Sequence, residues 1–136
     1  MKKILGLGLL VGLINLILGL ALSQFSYFVW PSLNAEYQNP ALFRSWSDPL
    51  MSIYFVCPFL VGLILAWLWE KTKGLFKGSY FRRGFSFGLI YWLISIPGMV
   101  ISYSSFPISI AMVFSWTLSG LIQYLVGGFI LAKGNR

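Results

Sequence analysis

The sequence contains no histidine, only three acidic residues and a single cysteine. Without histidine, and with no carboxylate inside any apolar run, the chain lacks the intramembrane acid or base on which proton-coupled transport depends. It equally lacks the base, metal ligands or charged nucleophile network of an intramembrane hydrolase. Glu70 is the acid nearest to an apolar run, and an ion pair with a neighbouring lysine accounts for it. The lone Cys57 excludes an internal disulfide, a cysteine metal pair and a dithiol redox couple, and reads as a core filler. The expectation is a protein that is not an enzyme and holds no metal or cofactor.

Charge is also scarce. Only 10% of the residues are charged and 58% are hydrophobic, far too little charge for the surface of a soluble domain. Four apolar runs explain the excess: about 4–30, 50–69, 85–105 and 108–132. Each is near the roughly 20 residues that cross a hydrocarbon core. With no water to satisfy the backbone there, each run is expected to be helical. The alternating pattern of a membrane β-barrel is absent. The fold class that follows is all-α: a single integral domain over 1–136, a bundle of four spans.

A net charge of +7 would suggest nucleic acid in a soluble protein, but its distribution points elsewhere. Lys2 and Lys3 precede the first span; Lys71, Lys73, Lys77, Arg82 and Arg83 lie in the 70–84 loop; Lys133 and Arg136 follow the fourth span. Only Arg44 falls on the other side. The positive-inside rule makes the crowded side cytoplasmic, with both termini inside, in a plasma (inner) membrane. The five basic residues of the 70–84 loop are candidate contacts for anionic headgroups, with aromatic side chains between them dipping into the interface. No nucleic-acid-binding fold accompanies them.

The first run also resembles a secretory signal, with Lys2-Lys3 ahead of it and a cleavage-like site after Ser23. Its length, its continuation to Trp30 and its glycines favour a retained helix. In the external 31–49 segment, Asn39 and Pro40 suit an N-cap and a first turn, predicting a short interfacial helix that carries Leu42, Phe43 and Trp46. The tripeptide Gly-Leu-Ile occurs once per span, at 12–14, 62–64, 88–90 and 120–122. With Pro49 and Pro107 each thirteen residues ahead of one copy, it raises a duplicated helical hairpin against chance in a Gly- and Leu-rich chain.

Small residues let membrane helices approach. Gly8 and Gly12 in the first span, Gly84, Gly88 and Gly98 in the third, and Gly120 in the fourth are candidate packing positions. Those of the third span continue through Ser95 and Ser102 as one seam. Pro58 and Pro97 are expected to kink their helices. Asn15, Ser95 and Gln123 fall at similar depth and form a candidate polar layer. Two functions compete: an accessory or interaction subunit whose partner is a membrane protein or a second copy, or a small channel or uniporter through that layer. A dry glycine-packed centre favours the first, and a continuous wet path the second.

Overall fold

The computed structural model describes residues 2–135; Arg136, counted above among the basic residues, lies outside them. Five α-helices follow in order: α1 (Lys2–Val29), α2 (Ser32–Tyr37), α3 (Ser52–Thr72), α4 (Tyr80–Ser105) and α5 (Ile110–Gly134). Short 3-10 turns at Pro49–Met51 and Lys73–Leu75 flank α3. No strand occurs among the described residues. Four of the helices are long and apolar enough to cross a membrane. Leu, Ile, Val and Phe side chains such as Ile17, Val56, Ile94 and Ile110 point outward from all four, as a lipid-facing surface requires.

The helix starts are set by side-chain caps that an apolar-run reading passes over. Ser79 Oγ accepts from the Arg82 backbone N–H at 3.4 Å, so α4 begins well before the predicted boundary at 85. Gly78, at φ +102°, makes the left-handed turn that feeds this cap. Ser109 Oγ likewise accepts from Met112 N–H at 3.2 Å and starts α5. Both α3 and α4 run unbroken through Pro58 and Pro97.

Within 31–49 the short helix is not where Asn39-Pro40 predicted it. It precedes them, at Ser32–Tyr37. The helix forms where Leu33 is buried against Ile108 and Met112, and Asn39-Pro40 follows it as a turn. Asn39 still caps, but caps a turn: its Oδ1 accepts from Ala41 N–H at 3.0 Å.

Two antiparallel pairs build the bundle, α1 on α3 and α4 on α5, and α1 joins them by packing also on α5. At the basic end all four long helices converge. Val11, Leu65, Trp69, Phe87 and Leu131 are buried together there, with Trp69 and Phe87 meeting edge-to-face. At the opposite end a second cluster holds Leu33 of α2 against Ile108 and Met112, and α3 contributes nothing to it. Here α3 stands apart from α5, and a hollow remains between them.

Candidate functional site

Glycine positions decide where the helices touch. A Cβ on Gly8 would lie 2.9 Å from Leu63 Cα, and one on Gly12 would lie 2.6 Å from Phe59 Cα. Gly62 of α3 faces this pair, against Gly8 O and Gly12 N. The second pair repeats the device: Gly84 packs on Gly128 and Phe129, Gly88 on Tyr124 and Leu125, and Gly128 faces Gly84 in return. Both seams lie toward the basic end.

Two of the predicted packing glycines are not part of them. Around Gly98 nothing lies within 4 Å, and at Gly120 only the Tyr124 ring of its own helix does. The third-span seam therefore serves packing in its first half alone. Beyond Tyr91, much of the small-residue face of α4 is exposed, Gly98 and Ser105 included. Gly128 was missed because it adjoins Gly127, which faces Val11 of α1 at 3.2 Å. Neighbouring residues in a helix look out roughly 100° apart, so this glycine pair serves two partners.

Above the α1–α3 seam the hollow opens into a cavity of about 490 Å³, walled by α1, α3 and α5. Asn15 and Gln123 both line it. Asn15 is 3% exposed, and its Oδ1 is buried without a hydrogen-bond partner. Gln123 reaches across toward α1, where a Cβ on Gly19 would lie 3.8 Å from its Nε2, in ordinary contact. Ser95, the third member of the predicted layer, is elsewhere. Its hydroxyl donates to Trp92 O at 2.7 Å, and α4 contributes no residue to the cavity. The packing of α4 on α5 sets Gly88 opposite Tyr124, so Ser95 lies about two helical turns nearer the α2 end than Gln123.

Two serine hydroxyls elsewhere in the wall are engaged within their own helices. Ser26 Oγ donates to Leu22 O at 2.9 Å and Ser115 Oγ to Met112 O at 2.9 Å. Cys57 faces the cavity and is not core. Toward the α2 end, Tyr27, Tyr37, Phe43, Trp46 and Tyr54 make an aromatic mouth that continues into a second hollow beneath the 31–49 segment. The α2 strap is pinned across this mouth. Glu36 Oε2 accepts from Ser109 N–H at 3.0 Å, and Tyr37 OH accepts from Trp116 Nε1. Burial pushes the Tyr37 phenol up to about 12, partly opposed by that bond. Arg44, the basic residue of the rim, pairs with Asp48 at 2.9 Å. The Leu50 backbone N–H, followed by the Arg44 guanidinium, holds the Asp48 carboxyl below its usual range.

At the other end the basic residues divide into two sets. Lys71, Lys77 and Arg82 are exposed. Lys73 and Arg83, predicted as headgroup contacts, are committed inside the protein. Lys73 Nζ binds Glu70 Oε2 and Asn135 Oδ1, each at 3.1 Å. Arg83 lies over the Trp69 ring at 5.2 Å and donates to Lys73 O at 3.4 Å. Trp69 Nε1 closes the arrangement on Asn135 O at 3.0 Å. No group of three His, Cys, Asp or Glu side chains that would suit a metal ion occurs among the described residues. No protein-family model, curated protein or solved structure matches the chain.

Proposed function

We propose that this is a non-enzymatic accessory protein of a plasma membrane that binds a ligand from the outer side rather than passing one through. In this reading both termini and the 70–84 loop are cytoplasmic, and the aromatic mouth and α2 face outward. The basic residues at one end of the bundle, against Arg44 alone at the other, support that orientation.

One observation carries the choice between binding and conduction. Past Asn15 and Gln123 the cavity ends at Val61 and Tyr124, and behind these Val11, Leu65 and Leu131 are almost fully buried in the converged helices. An open vestibule backed by a close-packed half is a binding geometry. The uniporter reading keeps one point in its favour, since the cavity does reach the amides. It requires the α1, α3 and α5 contacts at Val11 and Leu65 to part.

Thiol labelling separates the two. In a Cys57→Ala background, Ser119→Cys is expected to react with a membrane-impermeant maleimide supplied outside and not with one supplied inside. Val11→Cys is expected to stay unlabelled from either side. Labelling of Ser119→Cys from both sides would establish a through path and overturn the binding reading.

A further inference from the structure

We infer that the vestibule takes an uncharged molecule with an apolar, preferably aromatic, body and a single hydroxyl at its leading end, seated against Asn15 and Gln123. The inference rests on the proposed outward-facing binding function and names its ligand class.

Size comes first. About 490 Å³ lies within the roughly 300–1,000 Å³ of small-molecule sites. The walls supply aromatic and aliphatic surface from Tyr27, Trp46, Tyr54 and Val61, which suits a flat apolar body.

Charge is decided by what faces the floor. The ionisable residues that line the cavity are Cys57, four tyrosines and Arg44, and Arg44 is at the rim, already paired with Asp48. A cation entering this site finds no carboxylate and an anion finds no ammonium, so either sheds its hydration without compensation. A neutral molecule avoids that penalty.

The polar end is decided by the two amides. Asn15 Oδ1 is fully buried, so Asn15 meets the cavity through its Nδ2, which donates to no protein group among the described residues. Gln123, drawn over Gly19, stands within the same cavity and offers a second amide. A ligand hydroxyl at the floor accepts from Asn15 Nδ2 and donates to Gln123 Oε1. A hydrocarbon of the same shape leaves both amides unpaired.

Such a molecule has two sources, the outer leaflet as a hydroxyl-bearing lipid or the outer water as a small phenol or alcohol. The full chain in lipid nanodiscs tests both, using radiolabelled 4-butylphenol, butylbenzene, 4-butylbenzoate and (4-butylphenyl)trimethylammonium, with empty nanodiscs correcting for partition. Saturable 4-butylphenol binding is expected, about tenfold tighter than that of the other three. Asn15→Leu should reduce it to the butylbenzene level. Gly120→Phe fills the cavity from α5, where a Cβ meets only the Tyr124 ring, and should abolish it. Gly19→Leu fills it from α1 and replaces Gly120→Phe should that variant unfold.

A hydroxyl-bearing lipid extracted from the purified wild type but not from the filled variant assigns the membrane source. Its absence, with 4-butylphenol still bound, assigns the aqueous one. The inference is overturned if the cation or carboxylate binds as tightly, if no probe binds saturably, or if the filled variants bind unchanged. Two-sided thiol labelling with intact 4-butylphenol selectivity would defeat the dead-end reading alone. One-sided labelling without selectivity would defeat the ligand class alone.

Discussion

A methyl group on Gly12 would sit 2.6 Å from Phe59 Cα, and one on Gly88 would sit 2.8 Å from Leu125 Cα. Backbone atoms cannot rotate away as a side-chain tip can, so a larger residue at either position must separate two helices. Gly12→Leu and Gly88→Leu are each expected to destabilise the detergent-solubilised protein by about 1–3 kcal/mol or more. Gly98→Leu, with nothing within 4 Å, is expected to leave thermal unfolding unchanged within about 0.5 kcal/mol. Equal losses in all three would show that Gly98 meets a partner in the membrane. These residues also mark what the sequence reveals. Gly8 and Gly12, like Gly84 and Gly88, are readable because four-residue spacing puts both on one face. Gly98 misleads because spacing defines a face and says nothing about how far along it a neighbour stays in contact. Asn15 and Gln123 were legible as a pair for a different reason. Amides are rare in such runs and must find polar company, whereas Ser95 satisfies its own hydroxyl within its helix.

The α2 strap shows the limit of local signals for whole elements. Asn39-Pro40 carries a proper turn signature, yet the helix lies ahead of it because Leu33 finds a buried seat against α5 and Tyr37 finds Trp116. These are contacts between residues far apart in sequence, invisible to a local pattern. The same contacts give the strap a pH signature. Tyr37 is neutral in the fold up to about pH 12, against 10.0 for the free phenol. A raised folded value contributes stability that is complete below pH 10 and lost as the pH rises through about 12. The difference in tyrosinate absorbance between wild type and Tyr37→Phe is expected to show one phenol titrating near 12, with accelerated amide exchange in residues 32–37 over the same window. A Tyr37 that titrates near 10 would mean that α2 does not hold its place over the mouth.

For the whole molecule, the two glycine seams bear directly on the hairpin repeat. Gly8/Gly12 on Gly62 and Gly84/Gly88 on Gly128 are alike in geometry. The alignment of the second and fourth spans instead matches Gly62 with Gly120, about two helical turns short of Gly128. The repeated tripeptide and the repeated packing are therefore out of register in one pair, and the structure leaves duplication unsupported there. Charge at the converged end gives a further test of how the molecule sits. Lys73 and Arg83 brace α3, α4 and the end of α5, while Lys71, Lys77 and Arg82 are exposed and form no ion pair among the described residues. Replacing those three by Gln should leave thermal unfolding nearly unchanged. It should weaken retention of phosphatidylglycerol over a neutral lipid in native mass spectrometry, by roughly 1 kcal/mol per residue removed. Arg83→Gln is expected to do the reverse, lowering stability through loss of the Trp69 stack and the Lys73 carbonyl bond while sparing lipid preference. If instead Arg83→Gln released the anionic lipid and the triple variant kept it, the headgroup site would lie in the Trp69 brace and not on the exposed loop.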